Sequence, residues 1–192
     1  MPSWWPRSLR YATTEPGRHG SFAAPPEGSL HNVAVVPTRT NELSFTETVE
    51  IDRPPETVMA FALAPESVLL VGVVAQRCFR VPGTPVRAVG EQQVVVTRED
   101  GLLVLCVSEL VELGFPRSAT TVELSVPGDI RVRYRCDRTQ AGGTTYTREV
   151  RITPEPHEVA VMQLLFAAET RRMVARVKEV LEHDEWTPPA EG

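Results

Sequence analysis

Residues 47–61 read ETVEIDRPPETVMAF and decide the fold, because they place a strand directly before a helix. Val49 and Ile51 alternate with charged or hydroxylated neighbours, which is the period of a half-buried strand. Asp52 is available to cap the first helical turn, and Pro54-Pro55 suit a turn whose amides have no helical partners. The apolar residues that follow recur at helical spacing. This junction therefore predicts a strand followed by a helix with no loop between them.

The bulk composition favours one acidic globular domain. With 192 residues, of which 42% are hydrophobic, the chain can form one well-buried core and is too short for two of ordinary size. The formal net charge is -5 and the isoelectric point is about 5.5, whereas nucleic-acid-binding proteins usually carry a basic surface. We therefore expect no nucleic-acid partner.

Cysteine and motif content argues against metal and cofactor sites. Cys78, Cys106 and Cys136 lie far apart in the sequence, and each falls within a predicted strand. We therefore interpret them as small buried side chains rather than metal ligands, and their odd number disfavours a secreted disulfide framework. The sequence contains no glycine-rich phosphate loop and no nucleophile elbow. We expect neither a metal nor a cofactor.

The hydropathy pattern argues against a membrane protein. No run approaches the roughly 18–20 apolar residues that cross a bilayer, so we expect no stable membrane insertion. Trp4-Trp5-Pro6 stands where a secretion signal would need a continuous apolar segment. We interpret the protein as cytoplasmic, and the sequence leaves its oligomeric state open.

Three segments differ in composition. Residues 1–40 show no helical or strand period and are rich in Pro, Gly, Ser and Arg, so we interpret them as a disordered extension. Within it, Trp4 and Trp5 could anchor on a partner or on the domain itself. Residues 41–184 show regular periodicity and form the predicted domain. Residues 185–192 are expected to be a flexible C-terminal tail.

Strand and turn signals follow one another along this domain. A first strand is predicted at 43–51, a first helix at 54–63 and a short second helix at 65–70. Six further strands are predicted at 76–81, 90–98, 102–113, 118–126, 130–138 and 144–152. The connections between these strands are too short for parallel crossovers, so the sheet is expected to be antiparallel.

A long helix, from His157 to about Glu182, is predicted to end the domain. One of its faces is apolar and consists of Met162, Leu165, Phe166, Met173, Val177 and Leu181. An antiparallel sheet can curl its own apolar face around such a helix, while the two short helices close one side. We therefore predict an α+β fold, with a seven-stranded curved sheet around the C-terminal helix.

This order of elements resembles the helix-grip fold of the SRPBCC superfamily, which includes START lipid-transfer domains, pollen-allergen-like proteins, and polyketide cyclases and dehydratases. The resemblance rests on residues 49–58, on Gly142-Gly143-Thr144 before the last strand and on the ending VKEVLE at 177–182. It covers about residues 41–182. It implies a cavity between the sheet and the C-terminal helix that holds an apolar or amphipathic ligand.

Two charged residues share strand parity with apolar neighbours. Glu47 has the parity of Val49, and Arg148 has the parity of Tyr146. The resemblance pairs these two strands antiparallel, and partner numbers that sum to about 195 place Glu47 opposite Arg148. We hypothesise an inward-facing ion pair, in which an enzyme would use Glu47 as a base and Arg148 as an enolate-stabilising cation. The alternative is a bulge or parity flip that turns both residues to solvent.

Further candidates for ligand binding lie on the last strands and on the C-terminal helix. Tyr134 and Tyr146 have apolar parity, so they could present hydroxyls to the cavity or could simply be large core residues. The helix would contribute apolar surface from Met162, Phe166 and Met173.

Glu169 lies near the middle of the apolar face of the C-terminal helix. Its carboxylate could therefore meet a ligand or Arg148. The alternative is an ordinary surface contact with Arg172 or Arg176, which carries little energy.

The preferred function is the binding of a small hydrophobic or amphipathic ligand, lipid-like or polyketide-like, in the cavity. One alternative is a polyketide cyclase or dehydratase that uses acid and base groups of the cavity, although no histidine falls on an inward strand position. Another is a protein-interaction module with a collapsed cavity. A cavity well below about 300 Å³ would favour this last alternative.

Overall fold

The computed structural model describes residues 41–72, 75–99, 102–124 and 130–187, which form an α+β fold. The expected extension at 1–40 and residues 188–192 lie outside the described residues. The elements are, in order, β1 (Leu43–Ile51), α1 (Pro55–Ala62), α2 (Pro65–Val71), β2 (Ala75–Arg80), β3 (Gln92–Glu99), β4 (Leu102–Gly114), β5 (Ser118–Glu123), β6 (Ile130–Arg138), β7 (Thr144–Ile152) and α3 (Val159–Glu182). Every predicted element is present, and β1, β6 and β7 have the predicted bounds.

The strands form one antiparallel sheet with the order β1-β7-β6-β5-β4-β3-β2. The long helix α3 packs on β1 and β7, while α1 packs on β6 and α2 packs on β2 and α3. This is the helix-grip arrangement expected from the sequence. Because α3 packs mainly on the strands at one edge, β1 and β7, the inner face of the remaining strands is covered by α1 and α2.

Two apolar clusters fill the space between the sheet and the helices. The larger includes Phe61 of α1, Tyr146 of β7 and Val177 of α3. The smaller lies near the start of α3 and includes Val150 of β7 and Met162 of α3. Burial of apolar surface is the main favourable term in folding. These clusters therefore hold α3 on the sheet at both ends of the helix.

The junction between β1 and α1 is capped differently from expectation. Pro54 precedes the first helical turn in an extended conformation, with φ -65° and ψ 152°, and no side chain caps the helix. Its carbonyl accepts hydrogen bonds from the amides of Thr57 and Val58. The expectation that Asp52 caps α1 is therefore wrong. Two successive prolines favour an extended residue before the helix, which moves the helix start beyond the reach of Asp52.

The amide of Asp52 bonds to the end of α3 instead. It donates to Glu182 Oε1 at 3.1 Å, and Lys178 Nζ donates to the same oxygen at 2.6 Å. Lys178 Nζ also donates to the carbonyl of Glu50 at 2.8 Å. The pKa of Glu182 is lowered mainly by the hydrogen bond from Lys178 and, to a smaller extent, by that from the Asp52 amide. The last turn of α3 is thereby tied to the end of β1.

Trp186 packs into the core beyond the end of α3. Its ring lies 5.1 Å from that of Phe61, centre to centre, in an edge-on arrangement at 66°. Its Nε1 donates to Glu66 Oε1 at 3.3 Å. The sequence predicts a flexible tail from residue 185, but the described part of that segment, through Thr187, contributes this aromatic side chain to the domain core.

Among the described residues, no helix combines the length and the apolar character that crossing a bilayer requires. The same part of the chain contains no group of three or more His, Cys, Asp or Glu side chains that could hold a metal ion. Cys106 and Cys136 are buried, as the sequence predicts, whereas Cys78 is half-buried.

Candidate functional site

An inner pocket of about 70 Å³ lies between the short helices and the sheet. One wall is the corner between α1 and α2, with Ala62, Leu63 and Val68. The other wall is formed by the sheet and by the residue before β3, and it consists of Glu91, Gln93, Val95, Ser108, Leu110, Thr121 and Tyr134. The pocket therefore lies beside α1 and α2, whereas the resemblance places the cavity against the C-terminal helix.

One of the residues that line this pocket is a buried carboxylate that was not predicted from the sequence. Glu91 is 3% exposed, and its Oε1 accepts hydrogen bonds from Arg80 Nε at 2.8 Å and from Gln93 Nε2 at 2.9 Å. Its Oε2 accepts the amide of Arg87. A buried carboxylate is costly unless it is paired, and these three donors satisfy it. Gln93 Nε2 also donates to the carbonyl of Leu63 at 2.8 Å, which joins this network to the helical corner.

The sequence contains only a weak signal for Glu91. Along β3, Gln93 and Val95 share its parity, whereas Val94 and Val96 have the other parity. The more apolar set points away from the pocket, and the more polar set lines it. Strand parity alone would therefore have predicted that the wrong face of β3 is buried.

Arg148 lies in the middle of β7, on the inner face of the sheet. Its cross-strand partners are Glu47 on β1 and Tyr134 on β6. Its Nη1 donates to Oγ1 of Thr170, a fully buried residue of α3, at 3.2 Å. Within the described part of the chain, its Nε is buried without a hydrogen-bond partner. An unpaired buried donor costs about 1–3 kcal/mol, so this position is unfavourable for stability.

The register expected for Glu47 and Arg148 is confirmed, but their hydrogen bonds run to α3. Oε1 of Glu47 accepts from Arg171 Nε at 3.2 Å, and the Arg171 side chain is 76% exposed. Such an exposed ion pair contributes little to stability. Both strand residues are thus directed toward α3, and each is bonded to a different residue of that helix. Their catalytic roles stay predictions.

Glu169 forms a surface ion pair with Arg172, which is the alternative considered for it above. Both of its carboxylate oxygens lie 2.6 Å from Arg172 Nη2, and both side chains are more than one third exposed. A role for Glu169 in ligand binding stays a prediction.

The structure separates the two candidate tyrosines. Tyr134 lines the inner pocket, whereas Tyr146 is one of the largest fully buried side chains of the core. Burial, with a smaller contribution from Tyr134, holds the pKa of Tyr146 well above its usual value. Of the two, Tyr134 is thus the one placed to contact a molecule in the pocket.

The three apolar candidates on α3 contribute to the core. Met162 belongs to the smaller cluster, and the ring of Phe166 stacks on that of Phe45 at 6.1 Å. Met173 packs against the larger cluster. They are not among the residues that line the inner pocket, and their contribution to ligand binding stays a prediction.

Solved structures with this fold include proteins of several descriptions. The di-domain ARO/CYC BexL from the BE-7585A biosynthetic pathway is similar at TM-score 0.62 and 18% identity; the match covers 79% of this chain and 53% of BexL, so this chain spans about half its length. A START superfamily protein from Mycobacterium smegmatis matches at TM-score 0.61 and 10% identity, over 73% of this chain and 97% of that chain. Protein NE0264 from Nitrosomonas europaea matches at TM-score 0.58 and 15% identity, over 74% and 96%. At these identities the likeness shows the fold alone.

Sequence comparison gives the family directly. No curated protein matches the chain. The family model described as polyketide cyclase / dehydrase and lipid transport matches residues 42–182, the range that contains every element from β1 to α3. Because this match covers most of the chain and the fold agrees with it, the protein belongs to the polyketide cyclase / dehydrase and lipid transport family of the START/SRPBCC superfamily.

Proposed function

We propose that this domain binds a small amphipathic molecule in its inner pocket, and that Tyr134 and Arg148 orient the polar end of that molecule. The observation that carries the proposal is the buried Nε of Arg148, which has no acceptor among the described residues. A carbonyl, enolate or carboxylate oxygen of a ligand would supply the acceptor. The family description, which names polyketide cyclases and lipid transport, supports a ligand of this class.

Tyr134 connects the pocket with Arg148. It lines the pocket, and it is the cross-strand partner of Arg148 on the same face of the sheet. The Cβ atoms of directly opposed residues lie about 4.5–5.5 Å apart, so one ligand can contact both side chains. The apolar body of the ligand would lie against Leu63 and Val68, and its oxygen would point toward the strand pair.

The pocket must widen before it can hold a ligand of this kind. Its volume of about 70 Å³ has room for a few water molecules, whereas small-molecule sites usually measure about 300–1,000 Å³. The hydrogen bond from Gln93 to the carbonyl of Leu63 holds the corner between α1 and α2 on the sheet. Movement of this corner away from β3 would enlarge the pocket and leave the packing of α3 on β1 unchanged.

Cyclase-type catalysis at this site is a finer version of the same proposal. Arg148 would stabilise an enolate, as positioned cations do in transition states that develop negative charge. The expected base, Glu47, is bonded to the exposed Arg171. Glu91 lines the pocket, but both of its oxygens already accept hydrogen bonds. No carboxylate described here is free to take a proton in the pocket, and we therefore prefer binding over catalysis.

The small volume of the pocket favours a second candidate function, that of a protein-interaction module. A pocket that stays near 70 Å³ in solution would leave the family cavity collapsed. The domain would then act through its surface. The two functions differ in one measurable property, which is whether a small molecule binds.

Native mass spectrometry of the full chain, purified from its own host, tests the proposal. We expect a co-purifying small molecule, or a mass shift when lipids and aromatic polyketides are supplied. The variant Arg148→Met should lose most of the bound fraction, because Met keeps the apolar stem of the side chain but has no hydrogen-bond donor. The matched control Arg171→Met, at an exposed position, should retain it. Absence of any bound molecule, or equal binding by both variants, would contradict the proposal and favour the interaction module.

A further inference from the structure

The outer face of strands β2 to β5 is apolar, although it faces solvent. Gln93 and Ser108 line the inner pocket, so residues of the opposite parity on the same strands point outward. On β4 these include Leu103 and Leu105, which are 62% and 58% exposed. The solvated face of an antiparallel sheet normally carries polar residues. This half of the sheet therefore has the pattern of a surface that becomes covered.

Cross-strand register joins the outward apolar residues into one surface. Phe79 pairs with Val94, and Val94 pairs with Val107 on the next strand. The amide of Leu124 then donates to the carbonyl of Val107 at 2.6 Å, which extends the row to a fourth strand segment. Val96 and Leu105 form the next cross-strand pair on the same face. We call these six residues the outer patch: Phe79, Val94, Val96, Leu105, Val107 and Leu124. Contiguous exposed apolar patches of several hundred Å² mark interaction sites.

Opposite charges lie at the two ends of the outer patch. At one end, Gln92 pairs with Glu109 and donates a hydrogen bond to its carboxylate at 2.8 Å. At the other end, Arg98 pairs with Leu103, and Arg77 lies on the same face. Along the strand direction, the surface therefore changes from acidic through apolar to basic.

We propose that the outer patch is the interface of a homodimer, in which two copies of this chain pack sheet against sheet. A two-fold axis that lies in the interface and runs across the strands reverses the strand direction of the second copy. The basic end of one copy then lies over the acidic end of the other. Arg98 comes within reach of Glu109 of the second copy, and the symmetry generates the same contact twice. The apolar rows face each other between these two charged contacts.

Self-association fits this surface because the patch is complementary to itself. The rest of the outer face, on β6, presents the exposed side chains of Arg131, Arg133 and Arg135. These charges limit apolar sheet-to-sheet contact to the outer patch. An interface of ordinary size buries about 800 Å² on each partner. In this dimer the buried area would come from the outer patch together with the charged residues at its two ends. The inner pocket lies on the opposite face of the sheet, so this dimer leaves it accessible.

Sedimentation velocity of the full chain over a range of about 1–200 μM tests the dimer, since this range brackets the dissociation constants of weak and moderate complexes. We expect a concentration-dependent shift from monomer to dimer. Leu105→Glu should raise the dimer dissociation constant on the order of 100-fold, because it buries a charge in the centre of the interface. The matched control Leu164→Glu replaces a 74% exposed leucine of α3 and should leave dimerisation unchanged.

A charge exchange tests the proposed axis. Arg98→Glu alone and Glu109→Arg alone should each weaken the dimer about tenfold, because each places like charges together. The double variant Arg98→Glu/Glu109→Arg should restore association, since every contact is again between opposite charges. A chain that stays monomeric at all concentrations, a dimer that tolerates Leu105→Glu, or a double variant no better than the single ones overturns the proposal.

Discussion

Arg148 Nη1 donates a hydrogen bond to Thr170 Oγ1 at 3.2 Å, which links the middle of β7 to a fully buried position of α3. The same guanidinium keeps its buried Nε without an acceptor among the described residues. One end of the side chain is therefore held in place while another donor is left unsatisfied. Such an arrangement lowers stability and is typical of positions that are retained for function.

Replacement of Arg148 should separate stability from binding. Arg148→Met removes the unpaired donor but also the hydrogen bond to Oγ1 of buried Thr170, so the two effects offset and the free energy of unfolding should change by less than about 1 kcal/mol. Urea unfolding followed by circular dichroism measures this change. Arg171→Met, at the exposed ion pair with Glu47, should change the free energy of unfolding by less than about 0.5 kcal/mol. A loss of more than about 2 kcal/mol in Arg148→Met would show that the arginine serves stability instead.

Removal of the buried carboxylate beside the pocket should be strongly destabilising. Glu91→Ala removes the carboxylate that accepts from Arg80, Gln93 and Arg87, and it should lower the free energy of unfolding by about 3 kcal/mol. Because the Arg80 side chain is 29% exposed and partly solvated, we take the lower end of the usual range for a broken buried ion pair.

The control for this prediction is the exposed ion pair on β6. Asp137→Ala breaks the contact with Arg135, in which both side chains are more than half exposed, and it should cost less than about 0.5 kcal/mol. Thermal and urea unfolding should rank the two variants in this order. Equal effects would mean that the network around Glu91 does not stabilise the wall of the pocket.

The glycine pair before β7 should show two different costs. A Cβ at Gly143 would lie 2.7 Å from the carbonyl oxygen of Ile51, so Gly143→Ala forces the backbone apart. Gly142 has φ +92° and open space around it, so Gly142→Ala adds only backbone strain of about 1–2 kcal/mol. We expect Gly143→Ala to lower the melting temperature more than Gly142→Ala does. The opposite order would indicate that the end of β1 at Ile51 shifts easily to make room for the added Cβ.

Alkaline pH should destabilise the domain through Cys136. Burial raises the pKa of this thiol to about 12, and the nearby Asp137 contributes a smaller part of the shift. A raised folded-state pKa means that the contribution of the neutral thiol is complete below the unfolded pKa of about 8.5 and is lost as the pH rises through the folded value.

Urea unfolding between about pH 8 and pH 11 measures this dependence, which cannot exceed about 1.4 kcal/mol per pH unit for one group. Cys136→Ser has no thiol to ionise and should show a shallower slope over the same range. Mass spectrometry should also find that iodoacetamide modifies Cys136 in the native chain much more slowly than in urea. Rapid labelling of native Cys136 would contradict its burial.

Local sequence patterns determined the elements of this protein, and the resemblance to the helix-grip fold supplied the pairing of its terminal strands. The alternation in β1, β6 and β7 is strong enough to fix their bounds. Strand parity places Glu47 and Arg148 on the same face, and pairing β1 with β7 along their whole lengths then opposes the two residues. Short connections required an antiparallel sheet. These features depend on neighbours in the chain and on the helix-grip order of elements, which the sequence displays directly.

Tertiary structure alone decided which faces are covered and where the pocket lies. Periodicity shows that a strand has two faces, but the side that becomes buried depends on which helix lies over it. Because α3 packs mainly on β1 and β7, the pocket forms under the corner between α1 and α2, and Glu91 is buried there. Leu105 is left on the outer surface because the helices lie on the opposite face of the sheet. These outcomes depend on contacts between residues far apart in the chain, which no local pattern contains.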